Sequence, residues 1–121
     1  RAATGPATRL SMAELIHGIR ATSSSDVTFT WAPSSFLQEH GVRPWSDMPA
    51  WIPDDPISFV SVERALAAGL VYRPLAETAR DTLEDHGRTA AAGLEELQAG
   101  LPPEREREVL DAWHAEGGSR P

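Results

Sequence analysis

The sequence predicts a small α+β domain, mainly helical with a few short strands, and three observations carry that expectation. Apolar residues recur at helical spacing behind a capping signal at Ser11. The stretch Val27 to Trp31 alternates apolar and polar side chains. Two later helical patterns are punctuated by Gly69 and Pro74, the usual stop and start residues.

Taken in order, the first element is a helix over 12–22. Ser11-Met12-Ala13-Glu14 reads as a capping box, in which the Ser11 hydroxyl accepts from the Glu14 amide and the Glu14 carboxylate reaches back. Behind it Met12, Leu15, Ile16 and Ile19 form one apolar stripe, and the polar run Thr22 to Asp26 ends the pattern. Val27, Thr28, Phe29, Thr30 and Trp31 are all β-branched or aromatic, so this is the best strand in the chain. Pro33 suits the first turn of a short helix, 33–40, with Phe36 and Leu37 inward and Gly41 as its stop. Ser61 can cap a helix over 62–69, with Val62, Ala65, Leu66 and Ala68 inward and Gly69 as its stop. After a brief extended link, Pro74 opens a helix over 74–86 with Leu75, Ala79 and Leu83 on one face. Residues 1–87 thus form the main region, 88–101 an Ala/Gly-rich linker in which 94–99 could make a turn or two of helix, and 102–116 a terminal helix behind Pro102-Pro103. The tail from Gly117 reads as frayed.

Residues 42–59 differ in character. Pro44, Pro49, Pro53 and Pro56 forbid a helix interior or a central strand, while Trp45, Met48, Trp51, Ile52 and Phe59 lie between them. The expectation is a long loop whose aromatics either anchor it to the core or line a ligand site. In the second reading Arg43 holds an anionic or strongly polar group, and Trp45, Trp51 and Phe59 wall its apolar part, making these four the candidate substrate-binding residues.

Composition excludes several kinds of chemistry. All eleven basic residues are arginine, so lysine Schiff-base catalysis is impossible here. No cysteine is present, which removes disulfides and thiolate metal sites. His17, His40, His86 and His114 are too widely spaced for a metal signature. They read as surface or helix-end imidazoles, with His40 and His86 at helix C-termini. A net charge of −7 argues against general nucleic-acid binding. No apolar stretch is long enough to span a bilayer. Arg1 is not followed by a charged-then-apolar leader, so the expectation is a cytoplasmic chain that is either processed or a piece of something longer.

Several segments together resemble the C-terminal part of the extended short-chain dehydrogenases, the NAD-dependent epimerase/dehydratase family. They are Ala3-Thr4-Gly5-Pro6 with Leu10 to Ile16; Thr28 to Trp31 through Phe36-Leu37 and Gly41-Val42-Arg43-Pro44-Trp45; Val62 to Leu70 followed by Arg73 to Leu83; and Leu101 to Trp113. The resemblance covers roughly residues 3–115 and rests on the order and spacing of these segments. It implies a helix ending in a Gly-Leu step, a short strand and a final amphipathic helix. It also implies NAD or NADP as the cofactor of the full-length enzyme, a small-molecule substrate and a dinucleotide-binding half as partner.

The departures are as informative. The family's Gly-x-x-Gly-x-x-Gly loop is absent, and Tyr-x-x-x-Lys cannot be present, because Tyr72 is the one tyrosine and there is no lysine. The resemblance therefore implies the substrate-binding portion of a reductase or epimerase without its Rossmann half. Such a portion would bind no cofactor and have no catalytic residue of its own, and would expose apolar surface that favours a homodimer. The alternative is a non-enzymatic stand-alone binding or interaction module derived from that family.

Overall fold

The computed structural model describes residues 10–54, 60–91 and 99–118. It is mainly helical: α1 is Met12–Arg20, α2 Ser34–Glu39, α3 Glu63–Ala67, α4 Leu75–Ala91 and α5 Pro103–Ala115. The chain groups into two compact units, neither continuous in sequence. Unit 1 is Arg1–Ser25 with Asp54–Glu96, and unit 2 is Asp26–Pro53 with Leu97–Pro121.

Unit 1 contains α1, α3 and α4. The capping box is complete: the Glu14 amide donates to Ser11 Oγ at 3.1 Å and the Ser11 amide to Glu14 Oε2 at 2.7 Å. Two of the orphan amides at the start of α1 are thereby satisfied. α1 packs on α4, and Gly18 permits a close approach, since a Cβ there would lie 2.7 Å from Leu75 Cδ2. α3 ends as the sequence predicts. Gly69 takes a φ of +91°, and the amides of Gly69 and Leu70 turn back to the carbonyls of Leu66 and Ala65. That pair of bonds is a Schellman end, which a side chain at Gly69 would strain. Ser61 is not the cap expected of it: the N-cap of α3 is Val62, with no side-chain cap bond, and Ser61 Oγ only accepts a local bond from the Glu63 amide at 3.3 Å.

α4 runs on to Ala91, beyond the expected end at residue 86, so His86 lies inside the helix and not at its C-terminus. Gly87 fails to stop it because a helix-interior glycine costs only ~1 kcal/mol and no left-handed turn forms there. Arg73, on the link before α4, pairs with Asp81 and Glu77 on its first turns.

Unit 2 contains α2, α5 and the proline-rich loop. Its core is Phe36, Val42 and Val109, with Leu37, Met48, Trp51, Leu101 and Trp113 packed around them. The Phe36 ring meets the edge of Trp113 at 4.9 Å and lies on His40 at 4.0 Å. α2 closes through Gly41, whose φ is +71°, and the Val42 amide returns to the Leu37 carbonyl at 2.9 Å. The same turn throws Val42 into the core. α5 ends likewise: the amides of Gly117 and Gly118 return to the carbonyls of His114 and Trp113, so the expected fraying does not begin at Gly117.

The expected strand at Val27–Trp31 does not form a ladder among the described residues, where the single pairing is an isolated bridge between Pro44 and Met48. Val27 and Trp31 are exposed while Phe29 and Thr30 are half-buried, so alternation in the sequence has not buried one face. β-propensity expresses fit to a neighbouring strand, and it cannot make one alone. The expected helix at 94–99 (except its last residue, Ala99, which is not helical), the turn at 4–6 and Phe59 lie outside the described residues.

Replacing Ser11 with alanine should lower the stability of α1 by ~0.5–2 kcal/mol, since both reciprocal bonds of the box involve this residue. Chemical denaturation of the two proteins side by side measures it. An unchanged midpoint would show that the box contributes nothing.

Candidate functional site

The loop after Gly41 is built on Asp47. Its Oδ2 accepts from the Arg43 backbone amide at 2.8 Å and from Arg43 Nε at 3.0 Å, while Oδ1 accepts from Arg43 Nη2 at 2.8 Å. The guanidinium, and after it the backbone amide, hold the Asp47 carboxyl down from its ordinary 3.8 to about 2. The same contact raises the Arg43 pKa, mainly through the hydrogen bond to Asp47.

Backbone bonds tie the rest of the loop. The Asp47 amide donates to the Arg43 carbonyl, the Ser46 amide to Pro44, the Trp51 amide to Met48, and the Trp45 amide to the Trp51 carbonyl at 3.3 Å. Gly100 donates to the Ser46 carbonyl at 2.8 Å and holds the loop from the other side of the sequence. A second arginine of unit 2, Arg105, donates to the His40 carbonyl and to Glu108.

The four candidate residues separate in this arrangement. Trp51 is half-buried on the core of unit 2, and its indole Nε1 donates to Ser34 Oγ at 3.3 Å, so packing accounts for it. Arg43 gives its Nε and Nη2 to Asp47, while its side chain is 73% exposed. Trp45 is 64% exposed. Its φ of +67° puts a bulky side chain in the left-handed region, a strain of order 1–3 kcal/mol. Ala50 shares that conformation, so two non-glycine residues of this loop are in the left-handed region. Phe59 lies outside the described residues. The structure thus places Arg43, Trp45 and Trp51 in one hydrogen-bonded loop but gives the three different surroundings.

Sequence reasoning passed over Asp47. The Arg-x-x-x-Asp spacing was the available signal, and it was weak because the pairing depends on the loop folding back on itself. A second feature it passed over lies in unit 1: an open cleft of about 520 Å³ between the Ile19–Ser25 segment and Ala79 and Leu83 of α4. Its floor is apolar, but Thr22 and Ser23 at its rim spend their hydroxyls on the carbonyls of Ile19 and Arg20.

A dinucleotide pyrophosphate needs bare amides at a helix N-terminus. Among the described residues α1, α3, α4 and α5 each carry a carboxylate in the first turn, namely Glu14, Glu63, Glu77, and Glu104 with Glu106. α2 has none, but it is only six residues long. These ends do not fit the phosphates of NAD or NADP. No group of His, Asp or Glu suited to a metal occurs among the described residues, and no helix there is long and apolar enough to cross a membrane.

Comparison with family models, with curated proteins and with solved structures gives no match to this chain.

Two outcomes test the geometry. A carbon-detected titration of Asp47 should give a midpoint near 2, and Arg43→Ala should return it toward 3.8. Because folding lowers this pKa, the stabilisation is complete above pH 3.8 and is lost as pH falls through about 2. Trp45→Gly should keep or raise the melting temperature, since glycine accepts a positive φ without strain. Trp51→Ala should cost roughly 2–4 kcal/mol, just under the full core value for a tryptophan. Equal losses at the two positions would refute the division of roles.

Proposed function

We propose that this chain is the substrate-binding C-terminal portion of an NAD(P)-dependent reductase or epimerase of the extended short-chain dehydrogenase type, inactive by itself and working in the cytoplasm. The observation that carries the reading is the incompleteness of unit 1. Among its described residues Ala65 is the one buried hydrophobic, while Ile19, Val60, Leu66, Leu70, Val71 and Leu83 are exposed. Apolar surface on that scale is expected where a further layer of protein covers it. The order of α3, the Gly69-Leu70 turn and the long α4 supports the reading, because it is the helix order that the resemblance implies, although the strand implied between them does not form at 70–74.

On this reading the missing dinucleotide-binding half brings the cofactor and the Tyr-x-x-x-Lys pair, and hydride or proton transfer happens there. This chain contributes recognition. Its 43–51 loop reaches the small-molecule substrate, with Trp45 as the exposed aromatic, Arg43 beside it and Trp51 holding the loop to its core. Phe59 completes the set expected from the sequence.

The exposed, strained Trp45 equally suits a stand-alone binding module derived from the same family, and two measurements separate the readings. The coding sequence read in frame upstream of Arg1 should contain a Gly-rich loop and Tyr-x-x-x-Lys; an initiation codon directly at that point would favour the module. The purified chain should bind a dye specific for exposed apolar surface, or self-associate into a homodimer. A monomeric, dye-silent, cooperatively melting protein would count against the missing half.

The cofactor supplies a further test. Calorimetric titration of the chain with NADH or NADPH should show no micromolar binding, given the acidic helix starts. Micromolar affinity would mean that the dinucleotide site has been misplaced.

A further inference from the structure

We infer that Asp47 sets the charge selectivity of the 43–51 loop: by occupying Arg43 it leaves Trp45 as the contact residue and suits the loop to an uncharged group with a flat or apolar face. This deepens the substrate-binding reading above and rests on it. It also replaces the expectation that Arg43 holds an anion.

The argument starts from competition for the guanidinium. A free anionic ligand would have to displace a carboxylate tethered four residues away and held at three points. Tethering gives such a group an effective concentration of at least millimolar order, and the paired two-point geometry adds to it. A ligand anion at lower concentration therefore finds a neutral pair and not a cation. The depressed pKa of Asp47 is consistent, since the carboxylate stays ionised throughout the neutral range. Arg105 does not substitute, because its guanidinium is taken by Glu108 and the His40 carbonyl.

What the loop does offer is an indole. Trp45 is held outward by a left-handed backbone, its amide tied to the Trp51 carbonyl, and 64% of it is exposed. Strain of this kind persists only where the surroundings over-determine it, as the bonds from Asp47, Met48 and Gly100 do here. A rigid, exposed aromatic loses little conformational freedom on binding, which suits it to stacking on a flat or apolar surface.

The test uses the 121-residue chain, with benzamide as an uncharged probe and benzoate as an anionic probe of the same size. Amide and indole nitrogen–proton spectra report the Trp45 indole, assigned by its loss in Trp45→Phe, and the Arg43 Nε–H. In the unmodified chain benzamide should shift the Trp45 indole resonance, and benzoate should shift it less and leave Arg43 unmoved. Asp47→Asn frees the guanidinium and should strengthen benzoate binding by about tenfold or more relative to benzamide. Asp47→Glu keeps the charge and should restore the preference for the uncharged probe, which a merely structural role for Asp47 does not require. If Asp47→Asn loses spectral dispersion, Asp47→Ser takes its place, with the same expected gain for benzoate over benzamide. The idea is overturned if benzoate moves Arg43 equally in the unmodified chain and Asp47→Asn, or if neither probe moves Trp45. None of these readouts depends on catalysis, so failure here leaves the upstream-sequence test of the enzyme reading intact, and the reverse also holds.

Discussion

The left-handed turn at Gly41 does three things at once in unit 2. It closes α2 with two reversed amide bonds, it delivers Val42 into the core beside Phe36 and Val109, and it sets the direction in which the chain enters the 43–51 loop. Arg105 on α5 donates to the carbonyl of His40, one residue before the turn, and so places a positive charge at the C-terminal end of α2 where the helix dipole favours it. A side chain at Gly41 would be strained by its positive φ, while its Cβ would sit in ordinary contact with the Arg105 guanidinium at 3.7 Å. Everything the loop presents follows from that one geometry, because Arg43 begins two residues later and its own amide is already the first bond to Asp47.

The cores set a second constraint. Three buried residues, each worth ~1.5–3 kcal/mol, must support unit 2 with the half-buried ring around them. Unit 1 has only Ala65 among its described residues. Small cores of this kind leave helices dependent on their own ends, since a short helix in water is marginal without packing. This suits the local devices present, a reciprocal capping box on α1 and Schellman ends on α2, α3 and α5, although the starts of α2, α3 and α5 have no side-chain cap. They stabilise each helix locally, where a larger domain would rely on burial.

The same contrast explains what could be read from the sequence. Helix starts and stops were legible, because Ser11, Gly41 and Gly69 act through bonds to residues three to five positions away. Val27–Trp31 was not legible as structure, because a strand is defined by a partner that the residues themselves do not name. Gly87 misled for a related reason: a glycine permits a helix to end but does not require it. At the candidate site, composition pointed to one loop and to Arg43, Trp45 and Trp51 as a set. It could not separate Trp45 from Trp51, since exposure depends on whether the indole meets Ser34 and the core.

The charge of the loop follows from its folding and not from its composition. Read as a list, Arg43 beside three aromatics suggests an anion site. Folded, the cation and Asp47 form a closed pair with the backbone amide of Arg43 as its third member. A pair so arranged has two consequences that pull in one direction. It removes the positive field that would recruit an anion, and it rigidifies the segment that holds Trp45 in its strained conformation. Surface ion pairs usually contribute little to stability, and this one need not contribute much. Its effect is geometric, because the carboxylate that neutralises Arg43 also bonds the backbone from which Trp45 projects two residues on. Charge neutrality and aromatic presentation thus share one contact, while the backbone bonds of Asp47, Trp51 and Gly100 hold the segment from which Trp45 projects independently of the carboxylate.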